Sequence, residues 1–442
     1  MQIKDVLGLN SRNHLYTSRY NSRAGKKIAN SKLLTKQILK KAGIRVPKSY
    51  AIITGTEELE KFDLMQLPTD FVIKPNNGLG GQGIVVVESR GVYAGEWVTS
   101  QGTTLNATDI RLHIADILAG QYSMDDLPDI AYIEERVRVH PVFAKYSYHG
   151  TPDIRVIVFN KVPIMSYVRL PTEESGGRAN LFQGAAAVGI DMASGITTYG
   201  VHHANPVDFF PGSRRKLAGI QIPHWDEILE TAVNASEIVG LGYMAADIVL
   251  QPTSQDSRKQ DKSEQSLDSE TVPMILEINA QPGLKIQIAN KAGLRERLVR
   301  VKGLKIKDAK HGIRVAKALF PDPRLMEKGL GRKSVEAFED VEVLGVNGKT
   351  MVVRAKIDTG ADSSSIDREL AEQLGLLDSD NFLYDEYFRN ALGRKKREVV
   401  GVKFVMVGRK VATRVSIADR SRLRTKFLVG RRDLKDFVVV VG

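Results

Sequence analysis

The sequence predicts an α+β domain followed by a small all-β domain. In the first 320 residues, helix-period segments alternate with β-branched runs such as FVIKP at 71–75 and MILEINA at 274–280. From about residue 337 only short strands with Gly turns remain, as in VEVLGVNGKTMVVRAKIDTGA and VVGVKFVMVGRKVATRVSIA. A Pro- and Gly-containing stretch, PDPRLMEKGLGRKS, separates the two patterns. The expected organisation is a domain over 1–320, a linker over 321–336 and a second domain over 337–442.

Taken in order, residues 30–43 predict a helix. Leu33, Leu34, Ile38 and Leu39 fall near a 3.6-residue period, Asn30 or Ser31 can cap the start, and Gly43 with Pro47 ends it. Strands follow at 50–54, 71–75 and 83–88, then a hairpin over 153–170 turning at Asn160–Lys161. Helices are expected at 226–240 and 309–320. Residues 251–272 are nearly devoid of apolar side chains and read as a flexible insert between two strands.

The 442 residues carry a net charge of +12, unevenly spread. Residues 1–50 hold 12 basic and 1 acidic side chain, and residues 391–442 hold 15 and 4, which leaves the middle at −10. Such ends could attract a polyanion or an acidic protein tail; a solvated basic face is the blander alternative. Nucleic acid is not expected, because no RRM, KH, zinc-finger or helix-turn-helix pattern stands out. There are no cysteines, which excludes disulfides and thiol chemistry. The start, MQIKDVLGLNSRNH, lacks the apolar core of a signal peptide. The longest apolar runs fall far short of the roughly 20 residues that span a bilayer. A cytoplasmic protein with no membrane span is therefore expected.

Two stretches carry chemistry in the large domain. In IKPNNGLGGQGIVVV at 73–87 a strand ends on Lys74, and Gly78, Gly80, Gly81 and Gly83 follow. Glycines let backbone N–H groups approach phosphate oxygens, and a lysine adds a point charge. It is not a Walker loop, since no Gly-Lys-Ser/Thr opens a helix. In LEINAQPG, Glu277 and Asn279 lie two apart on a strand and share a face. With Asp247 of MAADIVL they form a hard-oxygen set suited to Mg²⁺; an acidic strand face against a basic neighbour is the alternative.

With these motifs in order, residues 1–320 resemble the ATP-grasp superfamily, in particular the RimK-like α-L-glutamate ligases. The resemblance implies that Lys32 and Lys74 are the two ATP lysines and that Gly78, Gly80, Gly81 and Gly83 form the phosphate lid. It implies that Glu134, Glu135 and Val137 of IEERV lie near the base and ribose. Asp153 and Arg155 match the family's Asp-x-Arg strand. Arg169, Arg178 and Asn180 match the strand and loop facing the triphosphate and acyl phosphate, and Asp247, Glu277 and Asn279 match the metal ligands. ATP and Mg²⁺, or Mn²⁺, are the implied cofactors. Ser31 stands where Asp usually precedes the first lysine, residues 138–152 lengthen the path to Asp153, and Gln183 stands where His is common. The implied reaction activates a carboxylate as an acyl phosphate and couples it to an amine, joining glutamate or another amino acid to a peptide, protein or small carboxylate.

The second motif is VVRAKIDTGADSSSI at 352–366, followed about 70 residues later by FLVGRRDL. It resembles the retropepsin-like aspartic peptidases, and more closely the bacterial branch labelled "ATP-dependent zinc protease". The resemblance makes Asp358 the catalytic carboxylate, pairs Asp362 with Arg431, and places a flap hairpin within 385–400. A single Asp-Thr-Gly supplies one carboxylate of a two-carboxylate centre, so peptidase chemistry implies a homodimer. A barrel that binds peptide or dimerises without cutting is the alternative, as is a non-catalytic nucleotide-binding regulator for the whole chain. All eight histidines lie outside the small domain, and His202 and His203, adjacent on a strand, are expected to point to opposite faces.

Overall fold

The computed structural model describes residues 3–78, 80–123, 126–252, 271–322, 333–390, 393–435 and 437–439. The chain divides into two compact units, Met1–Arg300 and Val301–Gly442. The expected boundary at 320 and this division differ by one helix, Ala309–Leu319, which counts with the second unit. Most of the expected insert, 253–270, and the linker residues 323–332 lie outside the described residues.

In the first unit, helical turns Leu9–Ser11, Arg12–Thr17 and Ser18–Tyr20 lead into α1 (Arg23–Asn30) and α2 (Lys32–Lys41). The Ser31 hydroxyl caps α2 by accepting from Leu34 N at 3.3 Å. Next comes a six-stranded sheet built from β1 (Ser49–Ile53), β2 (Phe71–Pro75), β3 (Val85–Arg90), β4 (Glu96–Thr99), β5 (Thr104–Asn106) and β6 (Ala131–Glu134). Its order is β1-β6-β2-β3-β4-β5. Helix α3 (Ala107–Leu118) starts in a capping box between Asn106 and Asp109. It lays Ile110, Ile114 and Ile117 against Phe71, Ile73, Val87, Trp97 and Ile133. β-Branched and aromatic residues fill this core because alternate residues of β2 and β6 face the helix.

The second sheet joins β7 (Asp153–Phe159), β8 (Val162–Leu170), β9 (Ala186–Ile190), β10 (Thr197–His202), β11 (Asn205–Val207), then, after helix α4 (Trp225–Val239), β12 (Tyr243–Pro252) and β13 (Thr271–Asn279). The order is β11-β10-β9-β8-β7-β12-β13. β7 and β8 turn on Asn160 and Lys161, both left-handed at φ 51° and 60°, the two-residue connection expected at that point. Every residue of β7 is buried, since it lies mid-sheet with α4 packed on it.

The second unit contains a closed barrel. Its strands are β14 (Lys333–Val335), β15 (Phe338–Leu344), β16 (Thr350–Asp358), β17 (Ser365–Asp367), β18 (Phe382–Asn390), β19 (Gly393–Met406), β20 (Arg409–Ala418), β21 (Phe427–Gly430) and β22 (Phe437–Val439). The order β15-β16-β21-β17-β20-β19 is closed by a β15–β19 pairing, which makes six barrel strands, and β18 extends from β19. Val341, Val343, Ile366, Phe404, Val415 and Phe427 fill the interior. The expected flap hairpin corresponds to β18 and β19, whose connecting residues 391 and 392 lie outside the described residues. No described helix is long and apolar enough to cross a membrane.

Candidate functional site

Backbone register brings the first unit's charged side chains together. Asp247 on β12 is paired across the sheet with Arg155 of β7 on one side and Glu277 of β13 on the other. Asp153 of β7 is opposite Arg169 of β8. Arg155 forms a two-pronged contact with Asp247, Nε to Oδ1 and Nη2 to Oδ2, both at 2.6 Å. Arg169 grips Asp153 in the same way, at 2.6 Å for both bonds, and also reaches Asp247 Oδ2 at 2.8 Å. The Asn279 amide donates to Asp247 Oδ2 at 3.2 Å.

Asp153, Arg155 and Asp247 are buried, and Arg169 is largely so. Burial by itself pushes the Asp247 carboxyl up, yet Arg155 and Arg169 together bring it below the usual carboxylate range. Burial pushes Asp153 up to about 6 against the pull of Arg169. Both arginines stay charged: the cost of burial is exceeded by their carboxylate partners. Arg169, expected to face phosphate, is thus neutralised by carboxylates here.

The hard-oxygen set is contiguous, since Asp247 is flanked by Glu277 and Asn279 on the adjacent strand. Among the described residues Asp247 Oδ1 accepts from Arg155 alone, so it has acceptor capacity left. Glu277 is half-buried, and Asn279, with its nitrogen turned to Asp247, keeps its carbonyl oxygen for another partner. The chemistry of this donor set fits a divalent ion of the Mg²⁺ type.

A second cluster lies on the six-stranded sheet. Glu134, at the end of β6 and 0% exposed, takes Lys74 Nζ on one oxygen at 2.6 Å and Lys36 Nζ on the other. Burial would raise Glu134, but the two ammonium groups bring it below its ordinary value. Burial lowers Lys36 to about 8 against the pull of Glu134. Lys36 also sits 4.9 Å from the Tyr132 ring centre. Sequence reasoning missed Lys36; its position one helical turn after Lys32 is the signal that could have found it.

Lys32 lies at the base of the glycine loop, donating to Asn76 O at 3.2 Å and Gly78 O at 2.9 Å. Gly80, Gly81 and Gly83 have φ of 61°, 82° and 70°, and a Cβ on Gly83 would come within 2.6 Å of the Tyr122 ring. Only glycine fits that backbone. Across from the loop, Asn180 donates to Gly80 O at 3.3 Å, and the Arg178 stem lies 3.6 Å from where a Gly81 Cβ would be. Lys285, also missed, donates to Leu181 O at 3.2 Å and stacks 3.7 Å from the centre of the exposed Phe182 ring.

After β6 the chain runs through Glu135, which exchanges hydrogen bonds with the Lys48 backbone. Val137 then packs with Val249 and Met274. Of the expected residues near the base, Glu134 is occupied by lysines, Glu135 braces the backbone, and Val137 offers an apolar wall. A separate cavity of about 700 Å³, lined by Arg45, Glu227, Glu230, Asn234 and Glu237 among others, holds none of these residues.

One expectation is overturned. His202 and His203 do not point apart. β10 ends at His202, and His203 and Ala204 adopt left-handed φ of 50° and 67°, so the alternation of a strand no longer applies. The two rings lie 4.2 Å apart between centres, and both face Glu174.

In the barrel, β16 ends on Asp358 beside Gly430 of β21, so Asp-Thr-Gly and Gly-Arg-Arg-Asp lie on neighbouring parallel strands. Asp358 Oδ1 accepts from Gly360 N at 3.0 Å and Ala361 N at 3.2 Å, while Oδ2 faces Lys356 Nζ at 3.1 Å. The Lys356 bond, opposed by partial burial and helped by the two amides, holds Asp358 below its usual pKa. Asp362 pairs with Arg431 at 3.2 Å, as expected, and with Arg432 at 2.7 Å.

A family model described as sugar-transfer associated ATP-grasp matches residues 11–255, and one described as aspartyl protease matches residues 342–432. Among solved structures, the ATP-grasp ligase PsnB complexed with a minimal precursor is similar at 17% identity and a TM-score of 0.30, over 64% of this chain and 62% of PsnB. The chain thus spans less than two thirds of PsnB. An L-amino acid ligase from Bacillus licheniformis is similar at 11% identity and a TM-score of 0.33, over 62% of this chain and 47% of that one. The simian foamy virus protease is similar at 18% identity and a TM-score of 0.17, over 22% of this chain and 90% of that one. No curated protein matches. The first match covers more than half of the 442 residues: the chain belongs to the sugar-transfer associated ATP-grasp family, and it carries a C-terminal aspartyl protease domain.

Proposed function

We propose that the chain is an ATP-dependent carboxylate–amine ligase of the RimK-like kind, joining glutamate or another amino acid to a peptide, protein or small carboxylate. The observation that carries this reading is the register that brings Glu277 and Asn279 beside Asp247, with two arginines on the same carboxylate. Asp247, Glu277 and the Asn279 carbonyl would hold Mg²⁺, which supplies charge neutralisation for phosphoryl transfer. Transfer to a carboxylate needs positioning and cationic groups rather than a protein nucleophile. Lys32 and the glycine loop would hold the phosphates, Val137 and Met274 would pack on the base, and Lys74 would turn from Glu134 toward the phosphates. Arg169 and Arg155 would stabilise charge on the acyl phosphate and orient the acceptor, and Arg178 and Asn180 would face it from the loop. An amine then displaces phosphate to leave an amide.

The aspartyl protease domain would act on the same class of peptide as a homodimer, with Asp358 of each copy sharing one proton. The basic C-terminal segment suits an acidic peptide. A second reading, a barrel that dimerises or binds peptide without cutting, is favoured by Lys356, which keeps Asp358 ionised. The test is incubation of the full chain with MgATP, single amino acids and acidic peptides, followed by mass spectrometry. ATP-dependent mass addition with matching ADP supports the ligase reading; ADP-free samples across the whole set would defeat it.

A further inference from the structure

The hairpin between β10 and β11 and the loop after β8 converge on three side chains that the ligase reading does not use. His202 Nε2 lies 3.4 Å from Glu174 Oε2, and His203 Nε2 lies 2.7 Å from Glu174 Oε1. The three candidate ligand atoms lie within 4.8 Å of one another, and no other such group occurs among the described residues. Ligands about 2.0–2.2 Å from a tetrahedral ion stand about 3.3 Å apart, so small side-chain shifts would bring all three onto one centre.

Two local features hold the groups in place. The turn bringing His203 beside His202 uses left-handed backbone at His203 and Ala204, neither of them glycine. It is a two-residue hairpin connection like Asn160–Lys161, with His202 paired to Asn205 on either side. Beneath Glu174, Gly184 has φ of 97°, and a Cβ there would come within 2.9 Å of the Glu174 carboxyl carbon. The loop itself is tied by buried Thr172 and Ser175, which exchange hydrogen bonds, and by Thr172 Oγ1 donating to Gly184 O at 2.7 Å. His202 Nε2 also contacts Gly184 O at 2.9 Å. That carbonyl retains the Thr172 hydroxyl if the imidazole turns to an ion.

The geometry points to a divalent transition-metal site, of the Zn²⁺ class, formed by Glu174, His202 and His203. Two imidazoles and one carboxylate select Zn²⁺ and its neighbours over Mg²⁺, which takes oxygen ligands. Three protein ligands leave a fourth position for water. Protons compete with the ion for the imidazole nitrogens, so affinity falls as the pH drops. The ion would tie the β10–β11 turn to the loop carrying Arg178 and Asn180, the residues that meet Gly80 and Gly81. This site needs no nucleotide, so its failure would leave the ligase reading untouched.

The test titrates the full chain with Co²⁺ in excess Mg²⁺, without ATP, following visible absorption, then displaces it with Zn²⁺. Wild type should take one equivalent with the intense bands of four-coordinate Co²⁺. His203→Asn and Glu174→Gln should each weaken binding at least ten-fold, while His14→Asn leaves it unchanged. All three variants alter exposed side chains, and matching thermal melts would show them folded. Zn²⁺ should slow trypsin cleavage after Arg178 in wild type and not in His203→Asn. Equal Co²⁺ affinity in wild type and both ligand variants, or cleavage after Arg178 indifferent to Zn²⁺, would overturn the proposal.

Discussion

The two carboxylate centres of this chain are built differently. Asp247 is 1% exposed and gripped by two guanidinium groups and an amide, so its charge is balanced within one unit. Asp358 is half-buried, held by two backbone amides and a lysine, and has no second carboxylate bonded to it among the described residues. A buried, satisfied ion cluster is stiff and costly to break, because losing one member strands its partners without solvation. A shallow, singly charged centre costs little to alter and is open to completion from outside. Substitutions at the first should therefore disturb stability as well as chemistry, and those at the second chemistry alone.

The largest expected effect is at Glu277. Glu277→Gln should lower ADP release by more than about a thousand-fold, the scale of several kcal/mol of lost charge stabilisation. Its melting temperature should stay at the wild-type value, as a half-buried residue outside the arginine cluster. Asp247→Asn should do what Glu277→Gln does not: it leaves Arg155 and Arg169 without their shared carboxylate and should cost about 3–5 kcal/mol, measured by denaturant unfolding. Equal stability of the two variants would erase the contrast.

Lys36→Met should destabilise by about 3 kcal/mol, since Glu134 would keep one ammonium partner in a dry site. The pH dependence sharpens this. Burial holds Lys36 near 8 in the folded chain against 10.5 unfolded, so the unfolded chain binds more protons between those values. Wild type should gain stability relative to Lys36→Met as pH rises from about 8 to 10.5, and a flat difference across that window would count against the burial.

The smallest effect belongs to the barrel. Lys356→Met removes the cation that holds Asp358 ionised, so its carboxyl pKa rises. In a peptide-cleavage assay the acid limb of the pH profile should move upward without change in melting temperature. A limb that stays in place would show that Lys356 does not touch the reacting carboxylate.

Much of this was legible in the sequence, for local reasons. Asn160–Lys161 announces a two-residue turn, Ser31 a helix cap, and the glycines after Lys74 a loop that side chains cannot enter. Asp-Thr-Gly and the Gly-Arg-Arg-Asp segment carry a family resemblance, and that resemblance implies the Asp362–Arg431 pair. What escaped depends on register between distant strands. Nothing near Arg155 says that it will face Asp247, 92 residues away. Lys36 is one of 12 basic residues in the first 50 and looks like surface until Glu134 is placed above it. The histidine pair was misjudged because strand alternation was carried one residue past the strand's end.

The account rests on the strand register that gathers Asp247, Glu277 and Asn279. Its most direct measurement is ADP release by wild type and Glu277→Gln side by side, with MgATP, an amino acid and an acceptor peptide that wild type extends. The account predicts ADP and amide in equal amounts from wild type, and neither from a variant that melts at the same temperature. Wild-type turnover by Glu277→Gln would contradict it.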